Sequence, residues 1–267
     1  MTELFRSFLN DVPTVWMLVL VVGGLTGLAV LVALALDRLA PQMHGKEAPG
    51  GSLGLRETYG AFYFFLLALV IANIQSSSTE ASERVIDEAS ALARIVNGSP
   101  VLPASSQAEL DAAISGYVHA VVEQEFPSMR EGKQNEATAG ALRHLYGVVH
   151  QFRPENVGQE TFYSDALTQL GEVTSNRRHR LGIAEGSAVP ELLRVFILGG
   201  LVLFLVLFYP ASVPDLRRRT VIFATFAFIG SFALLLTIQL DFPFSGAVSV
   251  SPQPFREFAL ARYFPGS

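Results

Sequence analysis

One uncharged apolar run constrains the fold of this chain more than any other feature. Residues 220–240 contain no Asp, Glu, Lys, Arg or His, and three arginines, residues 217–219, stand directly before them. An α-helix needs about 20 apolar residues to cross the hydrocarbon of a bilayer at about 1.5 Å per residue. Arginines hold one end of such a helix at a polar surface, and Pro243 and Gly246 stop it at the other. The sequence therefore predicts a transmembrane helix over residues 220–240.

Three further segments have the length and composition of membrane crossings. Residues 14–36 are uncharged, residues 58–75 are rich in aromatics, and residues 192–209 carry a single charge, Arg194. Charged residues make up 16% of the chain, against about 25% in an ordinary soluble domain. We therefore predict an all-α, polytopic membrane protein with four transmembrane helices.

A longer, more polar region separates the second and third crossings. Apolar residues recur within it at helical spacing and β-alternation is missing, so we predict a helical extramembrane domain between helices 2 and 3. The helix of the second crossing is expected to continue into this domain and to end near Asn97. The predicted organisation is residues 1–75 with helices 1 and 2, residues 76–189 as the helical domain, residues 190–246 with helices 3 and 4, and residues 247–267 as a tail containing Pro and Phe.

The orientation of the chain follows from its loops. Four crossings place both termini and the helical domain on one side of the membrane, and the short loops 37–57 and 211–219 on the other. These loops are denser in Lys and Arg than the opposite side. The positive-inside rule taken alone therefore favours an external domain.

Polar side chains at the ends of the crossings are candidate functional groups. Asn73 and Gln75 end the second crossing, Arg194 begins the third, and Asp241 follows the fourth. By the predicted topology all four lie at one membrane face, where a charge is costly unless it is paired or hydrated. We predict that Arg194 and Asp241 pair between adjacent helices and that Asn73 and Gln75 face a hydrated mouth. The alternative is that the pair only fastens the helical hairpin.

Catalytic and metal-binding motifs are missing from the sequence. Cys is absent, which excludes disulfides, thiol catalysis and Cys-ligated metals. His119 and Glu123 stand one helical turn apart, as metal ligands can, but a solvated or packed pair in a helical bundle is the favoured interpretation. Gly-rich phosphate loops are absent, and the net charge is −5. We therefore predict no enzyme activity, no metal, no cofactor and no nucleic-acid partner.

Four stretches of the chain carry a resemblance to a known family. They are Glu88-Ala89, residues 117–125, residues 177–181 and residues 240–246. The last is the most specific, because it contains the element Asp241-x-Pro243-Phe244-x-Gly246. With these stretches the chain resembles the bacterial and plant membrane proteins catalogued as DUF4239 and called bestrophin-like.

Such proteins are themselves similar to bestrophins, which are homopentameric anion channels with four membrane helices per subunit. The resemblance implies a multi-pass protein of the bacterial inner membrane, in contact with lipid and with copies of itself as a pentamer, that conducts small inorganic anions. It also implies a cytosolic location for residues 76–189. The Arg-Trp pair expected after a bestrophin's second helix is missing, since the chain has Glu80-Ala-Ser-Glu-Arg84, so calcium gating is not implied.

The resemblance assigns the pore to the second crossing. Four apolar side chains recur there at helical spacing, as in a pore helix with an apolar neck: Phe62, Phe65, Leu66 and Leu69. The alternative is that this stripe contacts lipid or packs within the subunit. We therefore expect an anion channel with a homo-oligomeric pore lined by helix 2. The second hypothesis is a non-conducting membrane sensor or scaffold whose helical domain binds a ligand or a protein partner.

Overall fold

The computed structural model describes Arg6 and residues 9–39, 50–210, 213, 215–246 and 249–265. These residues form helices and connecting turns and contain no strand. Contacts divide the chain into two compact units. The membrane unit comprises Phe8–Gln75 and Ala188–Asp241, and the bundle unit comprises Met1–Ser7, Ser76–Ser187 and Phe242–Ser267.

The helices are labelled in chain order. They are α1 (Thr14–Leu39, with a π-helical turn at Leu18–Gly23), α2 (Gly50–Gly98), α3 (Ala104–Ala120, continued by the π-helical turn Val121–Glu125 and by Phe126–Arg130), α4 (Glu136–Gln151), α5 (Val157–Glu185), α6 (Glu191–Leu207) and α7 (Leu216–Leu240). Two 3-10 segments follow at Gln253–Arg256 and Phe258–Tyr263. The predicted all-α class is confirmed.

Three helical segments in the described part of the chain are long and apolar enough to cross a membrane. They are Thr14–Leu39, Gly54–Val101 and Leu216–Leu240. The third predicted crossing corresponds to α6, which has 17 residues and spans about 25 Å. The membrane crossing by α6, and with it the total of four crossings, therefore stays a prediction.

Two helices extend beyond the predicted crossings. The loop predicted over residues 37–57 is helical up to Leu39 and again from Gly50, while residues 40–49 lie outside the described part. That prediction was wrong for residues 50–57 because it relied on glycines, and a glycine costs a helix only about 1 kcal/mol. Helix α7 begins at Leu216 rather than at residue 220, so the three arginines belong to its first turn. The Asp215 side chain caps this turn by accepting the N–H groups of Arg217 and Arg218.

The bundle unit has one apolar core. The second half of α2 packs in it with α3, α4 and α5, and its most deeply buried members include Leu92, Ile114, Tyr117, Leu145 and Leu170. Asn135 and Asn156 begin α4 and α5 as N-caps, because each side chain accepts a backbone N–H of the first turn. The segment predicted as a C-terminal tail contributes Phe255 and Leu260 to the same core. It is therefore part of the bundle unit.

Candidate functional site

One face of α2 packs inside the membrane unit. Its buried side chains are Tyr63, Leu67, Val70 and Ile74, and they share a core with Ile197, Leu201 and Phe204 of α6. The Tyr63 hydroxyl donates a hydrogen bond to the Ile197 carbonyl oxygen at 3.2 Å, and the Tyr59 hydroxyl donates to that of Gly200 at 2.9 Å. These contacts fix which way the helix faces.

The opposite face of α2 carries the predicted pore residues. Their side chains keep between 43% and 62% of their surface exposed: Phe62, Phe65, Leu66 and Leu69. We call these four the α2 stripe. Asn73 and Gln75 are also exposed and lie beyond its end. Because the packed face is elsewhere on the helix, the stripe is an outward apolar surface that changes to amide groups toward Ser76.

The structure brings Arg194 and Asp241 together. Arg194 Nη2 donates to Asp241 Oδ2 at 2.6 Å, and the backbone N–H of Val189 donates to Asp241 Oδ1 at 2.8 Å. Both side chains are largely buried. A guanidinium and a backbone amide thus satisfy both carboxylate oxygens, which offsets the cost of burying the charge. The pair joins the start of α6 to the end of α7.

The residues after Asp241 form a tight turn in the bundle unit. Gly246 has a φ of +78°, a left-handed conformation that L side chains rarely adopt. The Ser245 hydroxyl donates to the carbonyl oxygen of Arg130 at 2.8 Å, and the Phe244 ring lies edge-on to Phe126 at 6.1 Å. The backbone N–H of Val250 donates to the Pro243 carbonyl oxygen at 2.8 Å. Within the predicted family motif, Pro243, Phe244 and Gly246 thus serve the turn and its packing.

A buried ionic cluster lies in the bundle unit and was missed by the sequence analysis. Arg180 of α5 is completely buried and binds two carboxylates. Its Nε donates to Glu88 Oε2 at 2.9 Å, and its Nη2 donates to Glu125 Oε2 at 2.8 Å. The Tyr117 hydroxyl donates to Glu88 Oε1 at 2.7 Å, and Arg177 forms an ion pair with Glu125. We call these five residues the buried cluster.

The cluster is electrically balanced, with two guanidinium groups and two carboxylates. Burial opposes the charge of Arg180, but Glu88 and Glu125 outweigh it and raise the pKa of Arg180 above its usual value. Burial also raises the pKa of Glu88, while Arg180 and Tyr117 counter that rise. The pKa of the Tyr117 hydroxyl lies well above its usual value, because it is buried beside Glu88. The arginine therefore stays charged and the tyrosine stays a hydrogen-bond donor.

The local backbone of α3 directs Glu125 toward this cation. Glu125 closes the π-helical turn Val121–Glu125, in which hydrogen bonds span one residue more than in an α-helix. The wider turn rotates Glu125 relative to an unbroken α-helix that starts from Tyr117. Both side chains then take part in one cluster. π-helical turns of this kind are frequent at functional sites.

A second ionic group joins the other ends of the membrane-unit helices. Arg219 Nη2 donates to Asp37 Oδ2 at 2.9 Å, and the Tyr209 hydroxyl donates to Asp37 Oδ1. Arg219 Nη1 also donates to the Val213 carbonyl oxygen at 3.1 Å. From the sequence, Arg219 was predicted only to mark the membrane boundary. These contacts connect the ends of α1 and α6 to the start of α7.

The comparison with protein families identifies the chain's relationships. A family model described as the bestrophin-like domain matches residues 23–255. The chain belongs to the bestrophin-like family. The matched range of this bestrophin-like protein includes the α2 stripe, the Arg194–Asp241 pair and the buried cluster. No curated protein and no solved structure matches the chain.

The sequence of this bestrophin-like protein did contain a signal for the buried cluster. Glu88 lies at helical spacing between Val85 and Leu92, both of which are core residues. A carboxylate on a core-facing stripe requires a buried cation or hydrogen-bond donors. Its partner, Arg180, is 92 residues away in the sequence. The stripe thus indicates that a partner is needed, but not which residue supplies it.

Proposed function

We propose that this bestrophin-like protein is a subunit of a membrane channel for small anions, with α2 lining the pore of a closed homo-oligomer. The observation that carries the proposal is the α2 stripe. Its apolar side chains point away from the core of the subunit and the helix continues into amide and hydroxyl groups. A ring of such side chains forms a constriction that can gate by excluding water.

The preference for anions rests on the family and on the groups beyond the stripe. The amide N–H groups of Asn73 and Gln75 can donate hydrogen bonds to an anion at the mouth of the pore. Arg194 adds a positive charge near the same membrane boundary, although Asp241 balances it. The resemblance to bestrophins favours a five-membered ring, four crossings per subunit that include α6, and a cytosolic bundle unit in a bacterial inner membrane.

A second candidate function is a non-conducting sensor or scaffold. The bundle unit contains a cleft of about 300 Å³, lined among others by Ser106, Glu109, Arg153, Phe162 and Tyr163. Sites for small molecules occupy about 300–1,000 Å³, so the cleft can hold a small ligand. In this function α2 would transmit the signal that the cleft is occupied, and no conducting pore would form.

Thiol labelling separates the two functions, because the chain has no cysteine. Leu69→Cys is placed in the stripe, and Ile229→Cys, at a similarly exposed position in the middle of α7, is the control. A thiol reacts as the thiolate, which forms in water and not in lipid. We expect a membrane-impermeant thiosulfonate to modify Leu69→Cys in liposomes and to leave Ile229→Cys unmodified. Equal protection of both positions would contradict a water-filled path along α2.

A further inference from the structure

The membrane unit contains an apolar groove that the channel function does not use. Side chains of α1, α6 and α7 line it, among them Leu28 and Val32, Val202 and Val206, and Phe223 and Leu234. Its volume is about 490 Å³, within the range of about 300–1,000 Å³ that small-molecule sites occupy. Two of its lining residues have polar side-chain atoms, Tyr209 and Ser231.

The length of the groove matches one leaflet of a bilayer. On α7 its lining runs from Phe223 to Leu234, which is about 16 Å along a helix. The hydrocarbon of a whole bilayer is about 30 Å thick, so the groove covers about half of it. A transmembrane helix of a second subunit would continue past the groove through the full thickness. An acyl chain that enters from one leaflet needs only half.

Ionic groups adjoin one end of the groove. Tyr209 lines the groove, and its hydroxyl donates a hydrogen bond to Asp37. Asp37 also accepts a hydrogen bond from Arg219, which precedes the groove residue Phe223 by one helical turn. Among the described residues, the buried Nε of Arg219 has no hydrogen-bond partner.

Further positive charge lies at the same helix ends. Arg38 follows Asp37, and Arg217 and Arg218 precede Arg219; all three are exposed. The four arginines outnumber the nearby carboxylates of Asp37 and Asp215. The groove therefore ends at a surface with excess positive charge.

We propose that the groove binds one acyl chain of an anionic phospholipid, whose headgroup phosphate is held by Arg217. Guanidinium groups match phosphate oxygens in geometry and charge. Basic residues at the end of an apolar groove between transmembrane helices form a site of this kind. The site is independent of whether the protein conducts ions.

Lipid retention by the intact purified protein tests the site. Native mass spectrometry counts bound dioleoyl phosphatidylglycerol, with dioleoyl phosphatidylcholine as the lipid of equal chains and no net charge. Val202→Trp fills the groove. Val195→Trp is the matched control, because it lies two turns earlier on α6, is similarly exposed (67% against 62%) and is not among the groove residues. Gel filtration reports whether each variant keeps its oligomeric state.

We expect Val202→Trp to weaken phosphatidylglycerol binding about tenfold, the loss expected when roughly two methylene groups lose their burial. Val195→Trp should bind like the wild type. Arg217→Gln should reduce the preference for phosphatidylglycerol over phosphatidylcholine. Arg218→Gln is its matched control, because Arg218 lies on the other face of α7 and pairs with Asp215. Retention of the full preference in Arg217→Gln would overturn the proposal. Equal effects of Val202→Trp and Val195→Trp on lipid binding would also overturn it. Dissociation of the oligomer by Val202→Trp with unchanged lipid binding would do the same, because it would assign the groove to a second subunit.

Discussion

Replacement of Arg180 by Met isolates the energetic role of the buried cluster. Methionine keeps much of the side-chain volume but leaves Glu88 without its cation, while Glu125 retains Arg177. Removal of one partner from a buried ion pair costs about 3–5 kcal/mol, because the remaining charge is uncompensated. At a typical urea dependence of about 1–3 kcal/mol per molar, the midpoint of unfolding should fall by about 2 M.

The loss of stability caused by Arg180→Met should also depend on pH. The pKa of Glu88 is already raised by burial, and the loss of Arg180 raises it further. A carboxyl group with a raised pKa in the folded state contributes stability below its unfolded pKa and loses it as the pH rises through the folded pKa. The difference between Arg180→Met and the wild type should therefore be small near pH 5 and larger near pH 8, since protonated Glu88 needs no cation.

Pulse proteolysis of the whole protein in detergent, over a series of urea concentrations, measures the stability of the bundle unit. Arg178→Met is the matched control, because Arg178 lies on the same helix and is exposed. It should change the free energy of unfolding by less than about 0.5 kcal/mol. Equal midpoints for the two variants, or a difference that does not grow with pH, would refute the assigned role of Arg180.

Two further substitutions test the packing in each unit. Tyr117→Phe removes the hydroxyl that donates to Glu88 and should lower the stability of the bundle unit by about 1.5–3 kcal/mol in the same assay, whereas no change would contradict this hydrogen bond. Gly200→Ala places a Cβ atom 2.7 Å from the Tyr63 ring and should cost about 1–3 kcal/mol in thermal unfolding. In Gly199→Ala the added Cβ atom has no neighbour within 4 Å, so this variant should unfold like the wild type. Equal effects of the two alanine substitutions on thermal stability would contradict the close packing of α2 against α6.

The predictable part of the fold follows from long apolar runs. Residues 14–36 and 220–240 appear as helices because an uncharged run of this length has few alternatives. The contact between Arg194 and Asp241 could be predicted from the same apolar runs, because a short hairpin places the start of one helix beside the end of the next. Local pattern and topology were sufficient in both cases.

The buried cluster depends on information that local pattern does not contain. The sequence shows that Glu88 faces a core, but the choice of Arg180 over the neighbouring Arg178 is made by the orientation of α5. The π-helical turn before Phe126 decides where Glu125 points, and no residue type marks such a turn. Helix α2 likewise starts at Gly50 despite its glycines, because propensity is weak against the rest of the fold.

Chloride efflux from liposomes that contain the purified protein tests the channel proposal most directly. The decisive comparison is Phe65→Ala in the α2 stripe against Phe196→Ala on α6, because the two rings are similarly exposed in the subunit, at 62% and 66%. We expect chloride flux from the wild type, a higher flux from Phe65→Ala because an apolar ring leaves the constriction, and no change in Phe196→Ala. Absence of flux from all three proteins with an intact oligomer, or equal flux from the two variants, would contradict a pore along α2.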